Sequence, residues 1–419
     1  MSLINDTLNF LDNTHSQFHA IASVKSLLLE NGYVELNENR PFNLETGKKY
    51  FVTRNGSSLI AFNVNDSRKF HIVATHSDSP TFKLKPEASL VSPTFSKLST
   101  EGYGGMIIST WLDRPLSIAG RVFVKTEEGL KETLVDIDED LCIIPNVCIH
   151  FNRNINDGYT YNKAVDTLPV VTADDSFNLN EYLATKLGVN KEDILGHDLY
   201  LYNRDHAKFI GPNKELFAAA KIDNLECTYL GLRSLLETNN DDAINVLAIF
   251  DNEEVGSGTA QGADSTFLDD TLARISSSLK WGCEEYKIAL ANSFLVSADN
   301  AHALHPNHPE LSDALNRPLL NKGIAIKFNA AQSYTSDGLS AATFKNVLDK
   351  ANVPYQNFTN RSDIRGGGTL GNISTSHVSI VSVDIGCAQL AMHSAYETAG
   401  TKDIENMYNA MKAFYEAKL

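Results

Sequence analysis

Ile244-Asn245-Val246-Leu247-Ala248-Ile249-Phe250-Asp251-Asn252-Glu253-Glu254-Val255-Gly256-Ser257-Gly258 changes character halfway through. Its first seven residues form an apolar, β-branched run, which predicts a buried strand rather than an amphipathic helix. Acid follows at once: Asp251, Glu253 and Glu254, with Gly256 and Gly258 marking a turn. Open α/β sheets place their ligand sites at the C-terminal ends of such strands. Adjacent glutamates there repel one another unless a positive charge lies beside them. A divalent metal meets that need and separates two roles, one carboxylate as ligand and its neighbour as free base. The alternative is an acidic loop facing water, and the partners elsewhere in the chain weigh against it.

Working outward, 419 residues suffice for a large core and predict two domains. An apolar fraction of 42% and a charged fraction of 21% are ordinary for a soluble globular protein. Net charge of −16 argues against nucleic acid and anionic membrane as partners, because both require clustered Lys and Arg. The five cysteines, at 142, 148, 227, 283 and 387, are scattered and form no Cys-x-x-Cys pair. That pattern disfavours a disulfide framework and a thiolate zinc site. The N-terminal residues lack a basic region followed by an apolar block, and no window approaches eighteen apolar residues. A cytoplasmic protein is expected.

Apolar spacing predicts two helices within Leu3 to Asn31, with a break near Asn13-Thr14. Strands are expected at 49–53, 58–64 and 70–75. The last runs into His76-Ser77-Asp78, where a His can ligate metal while the Asp two residues on fixes it. From Pro86 to Pro212 short β-like pieces (106–110, 117–124, 133–137) alternate with turns, and a helix is expected only at 181–187. The expected organisation is therefore an α/β catalytic domain over 1–85 and 213–419, its mixed sheet covered by helices on both faces. A β-rich insert over 86–212 interrupts it. His150, in an apolar run of that insert, reads on its own as a core histidine. Asp223 stands at the start of a predicted helix, as cap or as ligand.

Further strands are expected at 293–298, ending in Asp299, at 323–328, carrying Lys327, and at 377–385. Helices are expected at 266–278 and 339–350, and a turn into a helix carrying His393 at 388–395. The loop Arg365-Gly366-Gly367-Gly368 lacks the Gly-Lys-Ser/Thr ending of a phosphate loop, but the N–H groups of Gly367 and Gly368 suit a substrate pocket. Element ends thus present His76, Asp223, Glu253, Glu254 and Asp299, with His393 joining from the C-terminal region. Two His and several carboxylates without a thiolate suit a pair of divalent cations sharing one carboxylate.

The motifs His76-Ser-Asp-Ser-Pro80, Ile222-Asp-Asn224, Asp251-Asn-Glu-Glu-Val-Gly-Ser257, Ser297-Ala-Asp-Asn-Ala-His302 and Gln389-Leu-Ala-Met-His-Ser394 resemble, in order and nearly end to end, the aspartyl aminopeptidase family of dinuclear zinc exopeptidases. The resemblance implies two zinc ions per subunit, bridged by Asp223. His76 and Asp299 would complete one site, and Glu254 and His393 the other. Glu253 would be the general base and Asp78 the carboxylate behind His76. It further implies that Lys327 meets an acidic first side chain, that His150 is a pocket residue supplied by a neighbouring subunit, and that the insert serves dimerisation, with dimers assembling into a tetrahedral dodecamer. Thr14-His15-Ser16-Gln17 lacks the prolines of that family's N-terminal stretch, and the glycine loop is richer in Gly. Both departures bear on pocket shape. The expected activity is removal of N-terminal Asp or Glu from peptides. The alternatives are a dizinc hydrolase of acylated amino acids, an aminopeptidase preferring neutral or basic residues, and a non-catalytic shell protein of the same fold.

Overall fold

The computed structural model describes residues 2–419. Its largest sheet has nine strands, in the order Val34–Leu36, Lys49–Arg54, Ser58–Asn63, Ile244–Phe250, Phe70–His76, Phe294–Ala298, Val381–Gly386, Ile324–Phe328 and Tyr355–Thr359. The four from Ile244–Phe250 to Val381–Gly386 run parallel. Ser58–Asn63 and Ile324–Phe328 border them antiparallel, so the sheet is mixed. Both Ile244–Phe250 and Phe70–His76 are buried along their whole length. That explains a continuous apolar run where a half-exposed strand would alternate.

Successive side chains of these strands feed two different cores. Val73, Leu247, Ile249 and Val296 pack with Leu225, Leu232, Met411 and Phe414 on one face. Ile72, Ala74, Val246 and Ala248 pack with Phe267, Leu272 and Ile275 on the other. The first face is covered by Ile222–Leu236 and Thr401–Glu416, which also pack on each other. Helix Phe267–Ser278 covers the second. Each Leu, Ile or Phe so buried contributes about 1.5–3 kcal/mol. The protein is α/β, with helices on both faces of a mixed sheet.

The chain divides into two compact units, one of residues up to Asp78 with Ala207–Met392 and Glu397–Leu419, the other of Ser79–His206 with His393–Tyr396. The first also holds a five-stranded sheet in which Leu216–Ala219 pairs with Glu397–Gly400, and Ala301–His302 with Ala388–Leu390. The second unit contains a six-stranded antiparallel sheet, the helix Leu179–Leu187 and its own core around Phe82, Leu98, Trp111, Ile118 and Leu199.

Three expectations need correction. Residues 377–385 are not one strand: Leu370–His377 is helical and the strand begins at Val381. Leu370, Ile373 and Ser374 have helical spacing, and Leu370 and Ile373 join the second core. The turn into a helix at 388–395 is instead a strand, Ala388–Leu390, and a turn, with the next strand starting at Glu397. Pairing with Ala301–His302 and Glu397–Gly400 overrides the helical propensity of Ala, Leu and Met there. Residues 106–110 form no strand but lead into the 3₁₀ turn Ile108–Trp111.

Candidate metal centre

Because the central strands are parallel, their C-terminal ends open on one edge of the sheet, and the acidic residues follow from there. After Phe250 the chain turns through Asn252, at φ 62°, into the 3₁₀ turn Glu253–Val255. The backbone N–H groups of Glu253 and Glu254 donate to Oδ1 and Oδ2 of Asp78, at 3.1 and 3.2 Å. Asp78 therefore fastens the turn after one strand to the end of its neighbour. It also faces His76, whose Nδ1 lies 3.1 Å from the Asp78 carbonyl oxygen and 3.3 Å from Oδ1. A proton on Nδ1 then leaves Nε2 as the ligating nitrogen. That atom lies 3.4 Å from Oδ1 of Asp223 and 3.7 Å from Oδ1 of Asp299.

Asp223 sits in the first turn of Ile222–Leu236, where a non-helical ψ and a cis peptide bond to Asn224 redirect the chain. Its N–H donates to Oε2 of Glu397 at 3.1 Å, and Asn224 Nδ2 donates to the Ala298 carbonyl oxygen at 2.8 Å. These bonds seat the helix start beside the strand that delivers Asp299. Ligand atoms of His76, Asp223 and Glu254 all lie within 4.8 Å of one another. Lys327 is 2% exposed, so its ammonium does not face solvent, and its Nζ is 3.4 Å from Oδ2 of Asp299.

Burial and the neighbouring Asp223 and Glu253 hold the Glu254 carboxyl well above the usual carboxylate range. Burial first, with Asp299, Asp78 and Asp223 adding to it, pushes Glu253 up to about 8. Burial opposes a proton on His76, but Asp223, Asp299 and Asp78 outweigh it and raise the imidazole well above its usual value. This crowding of anions is relieved by a divalent cation, and an imidazole with carboxylates and no thiolate is a donor set that zinc accepts. The residues present fit the metal.

The remaining expected site residues are His393, His150, Gly367 and Gly368. His393 belongs to the second unit, at a turn residue with φ 68°, and its Nδ1 is 3.1 Å from the Gly105 carbonyl oxygen. His150 is exposed in the same unit. Gly367 and Gly368 lie in the exposed loop before Leu370–His377. Glu397 and Gln389 were not foreseen: Gln389 Nε2 donates to Oε1 of Glu397 at 3.2 Å, while Oε2 of Glu397 takes the Asp223 N–H. Gln389 stood within a quoted motif, whereas no local pattern marked Glu397.

Residues 10–415 match the family model described as Aminopeptidase I zinc metalloprotease (M18). A probable M18 family aminopeptidase 2 of Clostridium novyi (strain NT) is 46% identical, over 98% of this chain and 97% of that one. The probable M18 family aminopeptidase 2 of Pseudomonas aeruginosa strain PAO1 is 37% identical, over 97% and 96%. Among solved structures, that of the Ape4 and Nbr1 complex superposes with a TM-score of 0.95 at 34% identity, covering 99% of this chain and 85% of that chain. The S. cerevesiae mApe1 dodecamer structure, at 23% identity, TM-score 0.85 and coverage of 99% and 96%, shares the fold.

Proposed function

From the membership of this chain in the M18 family of zinc aminopeptidases, which the match over residues 10–415 establishes, we propose that it removes acidic residues, Asp or Glu, from peptide N-termini at a dizinc centre. The observation that carries the acidic preference is buried Lys327, paired with Asp299 at 3.4 Å and lying 5.4 Å from the centre of the Tyr334 ring. Once Asp299 shares its charge with a metal, Lys327 holds surplus positive charge in a site where water screens little. A substrate carboxylate supplies the missing partner.

In this reading His76, Asp223, Glu254, Asp299 and His393 would hold the two ions, with Asp223 shared between them. Bound zinc supplies Lewis acidity toward the scissile carbonyl. The chain's own groups move the protons. Glu253 is separated in role from Glu254: only the latter joins His76 and Asp223 in the tight cluster. Glu253, a partly buried carboxylate beside the cluster, takes a proton from water and returns it to the departing amine. Asp78 orients the His76 imidazole, and the remaining carboxylate charge receives the substrate α-ammonium. His150, from a neighbouring subunit, and the N–H groups of Gly367 and Gly368 complete the pocket of a homo-oligomer built from dimers up to a dodecamer, with the 86–212 region at the dimer contact. The compartment is the cytoplasm.

Hydrolysis of Asp-, Glu-, Leu- and Lys-anilides, beside N-acetylated controls and with or without chelator, tests the reading. Acidic substrates should dominate, acetylation should abolish turnover, and the chelator should stop it. Turnover of acetylated substrates would reject the aminopeptidase assignment.

A further inference from the structure

We propose that the first unit carries a second, cationic pocket that receives a carboxylate of the peptide beyond its first residue. The inference rests on the aminopeptidase reading for its substrate and on a separate set of residues for its chemistry. A cavity of about 410 Å³ is lined by Arg317, Arg361, Arg365, His302 and His305, with no Asp or Glu among its described lining residues. In a chain of net charge −16, that is a local reversal of sign. Arg361 is already committed, its Nε 2.8 Å from Oδ1 of Asp363 and its Nη1 on the Glu310 carbonyl oxygen. Arg317 and Arg365 make no ion pair or side-chain hydrogen bond among the described residues. Two guanidinium groups without a carboxylate partner suit a planar carboxylate, which they bind through paired N–H donors.

The position suits the same substrate. His302 lies three residues beyond Asp299, on the short strand that pairs with Ala388–Leu390. Gln389, from that partner strand, lines the cavity and donates to Glu397, which in turn holds the Asp223 N–H. Two hydrogen bonds thus join the cavity wall to the metal cluster. The cavity is nevertheless distinct from the surroundings of Lys327. Phe358 lines it and meets Tyr334 edge-on at 6.0 Å, and Lys327 sits over the Tyr334 ring. Lys327 is not among the lining residues: Phe358, its cross-strand neighbour, forms the wall between them, which leaves the first side chain to Lys327 and assigns the arginines to a later carboxylate.

The test uses the metal-loaded full chain and the double substitution Arg317→Met with Arg365→Met, both exposed positions. Asp-anilide, which ends at the first residue, should keep its kcat/KM within about twofold. Asp-Ala-Ala-Asp should lose at least about tenfold, and calorimetric binding of the tripeptide Ala-Ala-Asp should weaken by a similar factor. Amidating the C-terminus, or replacing the last Asp by Asn, tells whether the main-chain or the side-chain carboxylate is read. Either answer supports the pocket. Equal losses on Asp-anilide and the tetrapeptide, or unchanged binding of Ala-Ala-Asp, would overturn it. A parent protein that cleaves no anilide rejects the aminopeptidase reading instead, and tripeptide binding still decides the pocket.

Discussion

Glu253 and Glu254 are neighbours in sequence for which different roles are proposed, base and metal ligand. Glu253→Gln keeps size and removes the proton acceptor, so kcat should fall by roughly 10²–10⁴-fold. Zinc content measured by plasma emission should stay at the parental level, and its loss would place Glu253 among the ligands. Lys327→Met should lower kcat/KM for Asp and Glu substrates at least about tenfold while sparing Leu substrates. An equal loss across all of them would mark a structural lysine. Glu226 makes a different prediction. It is buried, accepts the Asn300 side-chain N–H at 2.9 Å, and burial raises it from 4.5 to about 7. Between those values the folded chain holds a proton that the unfolded chain has released. Stability from this residue therefore falls as pH rises from 4.5 to 7 and is level above. Glu226→Gln should match the parent near pH 4.5 and exceed it at pH 8 by on the order of 3 kcal/mol, read from urea midpoints at fixed protein concentration. A variant less stable at pH 8 would show that the ionised carboxylate is the form the fold requires.

Among the elements, closeness of strand ends sets the tolerance. Gly386 ends the strand Val381–Gly386, and a Cβ added there would stand 1.9 Å from the Asp299 carbonyl oxygen. Gly386→Ala should cost at least about 1–3 kcal/mol and displace Asp299, so both thermal midpoint and zinc content should drop. A loss of stability with zinc retained would show that Asp299 keeps its place. Gly367→Ala, where nothing lies within 4 Å of the added carbon, serves as the control. The parallel strands were legible because full burial writes an apolar run, as in Ile244–Phe250, and the cluster was legible because His76 and Glu254 follow such runs while Asp223 opens a helix. Strands Thr81–Ser92 and Phe95–Tyr103 were not: Lys, Glu and Ser alternate through them, and Pro86 sits where their register shifts. Glu397 was invisible for another reason. Its partners, Gln389 and Asp223, are brought to it by the small sheet, and nothing local encodes that pairing.

At the scale of the whole molecule, the second unit exposes an apolar set in one loop, Val147, Ile149, Phe151 and Val165, with Phe151 88% exposed. Such a set rarely stays in water, and it fits a subunit contact. Phe151→Asp should shift the sedimentation coefficient toward smaller species and lower specific activity. An unchanged coefficient would place the contact elsewhere. No feature of composition foretold an assembly, since an interface is about as apolar as other surface.

The order of the strands also sets a timetable for synthesis. Ser58–Asn63 and Phe70–His76 both pair with Ile244–Phe250, and the helix that closes over them ends at Glu416. On a ribosome adding roughly 5–20 residues per second, the early strands wait about 8–35 s for their central partner and about 17–70 s for the closing helix. Throughout that time they expose unbroken apolar edges of the kind that pair with any neighbouring nascent chain. The second unit, nearly contiguous in sequence, is under no such delay and emerges while the first is still open. The protein is thus made inside out: its middle is complete early, and His76 meets Asp223 and Glu254 only after that middle has been made.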